Sequence, residues 1–171
     1  MFGFSVGGFT TLVTIGGVPD FARIPAYRAE FPDRVCAMLK ERNVETSVPA
    51  SAWAHDARVK AAVVAAPTLA FTFGRETLAP IKVPVQLWRA GADTITPHPR
   101  AAEAIYQALP ARPEYVAVPN ANDFIFVACS AEMAKRAPAI CQDPAEVDRG
   151  AFRRELNAAV VAFFKTKLPG P

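Results

Sequence analysis

Gly3-Phe4-Ser5-Val6-Gly7 is the first stretch of this sequence whose residue types and spacing can do chemistry. A serine on a tight turn between a strand and a helix is exposed as a nucleophile, and small neighbours keep the crowded backbone from colliding. Gly3 and Gly7 are read as those neighbours. Met1-Phe2 is the stub of the strand, and residues 8–15 open a helix that Gly16-Gly17 ends. The second group is Asp93, in Ala90-Gly91-Ala92-Asp93-Thr94, on a loop directly after the apolar run 83–90. A carboxylate at the carboxyl end of a later strand is placed to orient a base. In isolation it is an ordinary turn aspartate.

A base is harder to find, because the chain holds only two histidines, His55 and His98. His55 precedes its strand and is expected at the amino end of the sheet, away from the serine. His98, five residues beyond Asp93, is the only local candidate, although a surface histidine near a helix start is commonplace.

These groups need a scaffold, and from residue 59 onward short β-branched runs alternate with helical segments, the pattern of a parallel sheet flanked by helices. Strands are expected at 59–66, 83–90 and 114–118, with a crossover helix at 100–109 that presents Ala102, Ile105, Tyr106 and Leu109 on one face and stops at Pro110. Phe152, Leu156, Ala159 and Phe163 form one apolar stripe on a C-terminal helix. Before it, Asp143-Pro144-Ala145-Glu146 has the composition of a short capped turn. Residues 19–56 contain four prolines and one convincing helical stretch, 33–40, and are read as an excursion over the edge or top of the sheet. The whole chain, 1–171, is read as a single domain.

Composition narrows the classes. With 171 residues, 51% hydrophobic and 20% charged, the chain can bury one sizeable core. A net charge of +3 is spread without a dense basic cluster, so no nucleic-acid partner is expected. No run reaches the ~20 apolar residues that span a bilayer, and the first eighteen residues, with five glycines and no basic start, read as neither a membrane span nor a signal peptide. Cys36, Cys129 and Cys141 have no metal-ligand spacing, and GFSVGGF does not fit the dinucleotide fingerprint, so neither metal nor cofactor is expected. Cys129 and Cys141 bracket a short helical stretch and form either a disulfide, which would suggest a periplasmic or secreted protein, or two buried thiols.

GFSVGGFT, HDARVKAAVVAAP, VPVQLWRAGADTITP and PNANDFIFVACS together resemble the predicted dienelactone hydrolases of the α/β-hydrolase superfamily, over nearly the whole chain. The resemblance implies a partial α/β-hydrolase fold with its N-terminal strands missing, and a serine hydrolase acting on small carboxylic esters. It puts Ser5 at the nucleophile position, Asp93 at the acid position and the Val6 backbone N–H at one oxyanion donor. Where the family has roughly Gly-Ala-Gly-His-Phe, this chain has Asn120-Ala121-Asn122-Asp123-Phe124, so Asp123 stands at the position of the general base. A carboxylate with a pKa of about 4 accepts a serine proton poorly, whereas imidazole at about 6.5 is matched to neutral pH. Two acids brought close can share a proton and raise one pKa, giving a weak acid/base pair.

The lost strands imply an exposed sheet edge, and hence a homo-oligomer or reliance on a missing N-terminal fragment. Two other classes compete with the hydrolase: a non-catalytic remnant that binds a small molecule or a partner chain, and an oligomerisation domain with contacts through the aromatic segments 71–73 and 124–126.

Overall fold

The apolar runs pair side by side. In the computed structural model, which describes residues 1–31, 33–42 and 47–168, β1 (Phe2–Phe4), β2 (Ala62–Ala65), β3 (Val85–Ala90) and β4 (Glu114–Val118) form one parallel sheet in that order. Helix α1 (Val6–Thr14) leaves β1 at once, and α2 (Ile24–Glu30) and α3 (Arg34–Glu41) precede β2. Helix α4 (Arg75–Leu78) joins β2 to β3, α5 (Ala102–Ala108) joins β3 to β4, and α6 (Ala131–Arg136), α7 (Pro138–Cys141) and α8 (Arg149–Lys167) follow β4. The result is a parallel α/β sheet flanked by helices, consistent with an α/β-hydrolase-like fold, and no strand precedes β1 among the described residues.

Strand period explains the two cores. Successive side chains point to opposite faces, so Ala62 and Val64 of β2 pack with Leu12, Leu87 and Ile105 on one side, while Val63 and Ala65 pack with Trp88, Ile125 and Phe152 on the other. All four β2 residues are buried, as expected for a parallel strand covered on both faces. β1 lies at the sheet's edge, where Phe2 is exposed and Phe4 packs on Phe126 with ring centroids 5.6 Å apart.

Two strands start later than the apolar runs predict, for local reasons. Val59 is held in a turn by its N–H donating to the Asp56 carbonyl, and Asp56 also binds Arg58, so β2 begins at Ala62. Pro84 has no N–H to offer a ladder, and β3 begins one residue later. The excursion contains an unforeseen helix, α2, which tolerates Pro25 because the ring sits in the first turn, where the missing N–H has no intrahelical partner. Tyr27 of α2 stacks on Phe71 at 3.7 Å, accepts from Arg100 Nε at 3.2 Å and donates to Asp33, which caps α3 through the Cys36 N–H. These contacts hold α3 over the carboxyl end of the sheet.

The segment after β4 is tied down twice. Arg149, at the start of α8, donates to Asp143 at 2.6 and 2.7 Å and to the carbonyls of Phe124, Val127 and Ile140, each at 2.9 Å. The Asp143 reading therefore needs correction: a turn does form, with the Val147 N–H on Pro144 O, but the Asp143 carboxylate neutralises the guanidinium of Arg149 instead of capping that turn. Cys129 and Cys141 are joined as a disulfide with Cα atoms 5.6 Å apart, and Cys36 is a free buried thiol. Closing a loop this short should contribute roughly 2 to 3 kcal/mol. Urea unfolding with and without a reductant should differ by that amount; coincident curves would remove the disulfide from the stability of the fold.

Candidate active site

The chemistry-bearing residues meet at the carboxyl end of the sheet. Ser5 separates β1 from α1 and adopts φ 55° and ψ −118°, far from either helical or extended backbone. Its N–H donates to Ala65 O at 2.9 Å, and its carbonyl accepts from Phe9 and Thr68 N–H, so the strained residue is anchored to its own helix and to the end of β2. A Cβ on Gly3 would collide with the Gly7 carbonyl oxygen and with Thr11 Oγ1, which explains why glycine is needed there. The reading of Gly7 needs correction: a Cβ at Gly7 would enter open space. The second tight glycine is Gly8, whose Cβ would lie 3.1 Å from Pro67 Cα, because α1 is pressed against the chain leaving β2.

Ala66, Leu69 and Asn120 also have positive φ, at 41°, 55° and 57°. With Ser5, they place strained backbone at the carboxyl ends of β1, β2 and β4. Such strain persists only where the surroundings over-determine it. No sequence signal pointed to Ala66 or Leu69.

Asp93 and Asp123 come from different loops, and the backbone brings the loops together. Gly91 N–H donates to Val118 O at 2.8 Å and Ala92 N–H to Ala121 O at 2.9 Å, so strand-like pairing runs past β3 and β4. Gly91 permits this approach, since a Cβ there would lie 2.9 Å from Asn120 N. The turn 94–96 then serves both acids. Asp93 accepts from Thr96 N–H at 2.6 Å and Thr96 Oγ1 at 2.5 Å, Asp123 accepts from Thr94 N–H at 2.6 Å, and the Ile95 N–H is shared between the two carboxyls at 3.0 and 2.5 Å. Threonine two or three residues past an aspartate is a recognisable turn signal, but its service to Asp123 was invisible without the fold.

Electrostatics separates the two acids. Burial, followed by the adjacent Asp123 carboxyl, pushes Asp93 up to about 6. For Asp123 burial also opposes charge, but the hydrogen bond from the Asp93 carboxyl and the N–H groups of Ile95 and Thr94 outweigh it and hold this acid below the ordinary carboxylate range. Below about pH 6 the proton of the pair is held mainly by Asp93, and above it both acids are ionised. A pKa raised on folding contributes stability in full below the unfolded value, and that stability is lost as pH rises through the folded value. Between about pH 4 and pH 7 the protein should lose of order 2 kcal/mol relative to the Asp93→Asn variant. Parallel stability curves for the two proteins over that window would show that Asp93 is not perturbed.

Ser5, Asp93 and Asp123 line one half-open crevice of about 20 Å³ together with Phe4, Ala66, Ile95, Thr96 and Phe124. That is room for a single water. Among the described residues, Ser5 Oγ makes no hydrogen bond, and the Val6 N–H opens α1 with no intrahelical carbonyl to receive it. Ser5 also lines a larger, mostly apolar space of about 330 Å³ with Val6, Thr68, the α3 residues Val35, Met38 and Leu39, and Arg42, which brings a positive charge to it. His98 is exposed on the turn before α5 and lines neither space, and exposed His55 precedes β2. Among the described residues no group of His, Cys, Asp and Glu could hold a metal ion. No family model, curated protein or solved structure matches the chain.

Proposed function

We propose that the chain is a slow serine hydrolase of the dienelactone hydrolase or carboxylesterase type. Ser5 Oγ attacks the carbonyl carbon of a carboxylic ester, the alcohol departs, and water resolves the acyl-enzyme. The observation that carries this reading is the strained Ser5, set between a strand and a helix and sharing a crevice with two carboxyls. The Val6 N–H is the donor for the developing oxyanion. The serine proton passes to the Asp93–Asp123 pair, and the alcohol takes it up on leaving. Backbone N–H groups that stabilise the Asp123 anion also weaken it as a base, which makes the reaction slow.

A second reading, a non-catalytic domain that binds a small molecule at the same place, is favoured by the lack of a hydrogen-bonded base on Ser5 Oγ among the described residues. An alkyl fluorophosphonate separates the two. Covalent labelling of the parent and none of Ser5→Ala is the expected result. A parent that stays unlabelled under prolonged exposure supports the binding reading and removes the hydrolase.

A further inference from the structure

Segment 128–142 adds nothing to either core, and none of its residues is buried. Its helices, α6 with six residues and α7 with four, are far below the ~12 residues at which an isolated helix becomes even marginal in water. A segment so poor in apolar contacts stands at the low end of local stability. It is held at its ends. Cys129 is joined to Cys141. Among the described residues, only two groups of the segment hydrogen-bond to the rest of the chain: the Ile140 carbonyl accepts from Arg149 at 2.9 Å, and the Gln142 carbonyl accepts from the Asn122 side-chain amide. Both bonds lead to the loop that carries Asp123. Asn122 precedes that acid, and its Oδ1 accepts from the Phe124 N–H at 3.0 Å, so one side chain brackets Asp123 and reaches the residue next to Cys141. Arg149 also holds the Phe124 carbonyl at 2.9 Å.

We propose that the Cys129–Cys141 disulfide is a redox latch on the acid loop: closed, it keeps Gln142 and Ile140 where they hold residues 122–124, and a dithiol that opens it releases Asp123. The cysteines are half-buried beside exposed Ala128, Ser130 and Gln142, so a small dithiol reaches the bond. One reductant thiolate attacks a cysteine sulfur and the S–S bond breaks. The second thiol then closes the reductant into its cyclic disulfide, and two electrons and two protons pass to Cys129 and Cys141. Without the closed loop the two short helices melt, the Asn122 amide loses its acceptor, and the acid is no longer fixed against the 94–96 turn. The latch rests on the hydrolase reading for its effect on catalysis but not for its movement.

Amide hydrogen exchange, with and without dithiothreitol, reads the latch independently of catalysis. The Thr94 N–H donates to the Asp123 carboxylate at 2.6 Å. On reduction it should exchange about 10-fold faster, as expected when a hydrogen bond to a charged acceptor is lost, while the near-ultraviolet circular dichroism stays that of the folded protein. The double variant Cys129→Ser, Cys141→Ser should show the fast rate with no response to dithiothreitol. Asn122→Ala should show it with the disulfide intact. An unchanged Thr94 rate, either on reduction or in Asn122→Ala, overturns the proposal. So does loss of the folded circular dichroism on reduction, which would make the disulfide a brace of the whole fold and not a latch on one loop. Faster Thr94 exchange in a protein that fluorophosphonate never labels would leave the latch standing and sink the serine chemistry.

Discussion

Replacing Asp123 with histidine should raise kcat/KM for a short ester by about 10² to 10⁴, the range over which a well-placed general base acts. The argument is one of position. Asp123 lines the crevice with Ser5 and Asp93, so an imidazole on the same backbone would stand between a hydroxyl and an acid already raised by burial. Asp93 would then hold the imidazole N–H and favour the imidazolium that forms. The substitution has a cost: the N–H groups of Thr94 and Ile95 lose an acceptor, worth about 1 to 3 kcal/mol of stability. Ester hydrolysis and fluorophosphonate labelling should both accelerate in a variant that melts somewhat earlier. A folded Asp123→His protein no faster than its parent would mean that the base is not the missing component.

Removing Arg149 should have the largest effect on stability. Its guanidinium and the Asp143 carboxylate are 10% and 12% exposed, and the same side chain binds three carbonyls. Truncation to alanine leaves a carboxylate with its partner gone and three acceptors unpaired. Breaking a buried pair in this way costs about 3 to 5 kcal/mol. Because Arg149 reaches the Phe124 carbonyl, one residue from Asp123, the loss should also loosen the acid loop. Urea denaturation of Arg149→Ala is the measurement, and a cost below about 1 kcal/mol would show that the network is dispensable.

Much of the scaffold was legible because its signals are local. The β4 run was read at its full extent, 114–118, and the Phe152, Leu156 and Phe163 stripe does face the sheet. Asp33 and Gly16-Gly17 bound their helices as their residue types require. What failed were readings that needed a partner from elsewhere in the chain. Gly7 was assigned a steric role that belongs to Gly8, because the obstacle, Pro67, is sixty residues away in sequence. α2 was hidden because Pro25 reads as a breaker until its place in the first turn is known. For the site, Ser5 and Asp93 were singled out from residue type and setting, and Asp123 only through the family resemblance. The 94–96 turn that serves both acids, and the α3 wall beside Ser5, come from long-range folding that no spacing in the sequence encodes.

The pairing of Gly91 with Val118 and of Ala92 with Ala121 makes the two acid-bearing loops an extension of the sheet. Carboxyls fixed in this way have little conformational freedom left to lose when a ligand arrives. Discrimination among ligands then falls to the other side of the opening, walled by α3, whose capping Asp33 accepts a hydrogen bond from the Tyr27 hydroxyl at 2.9 Å.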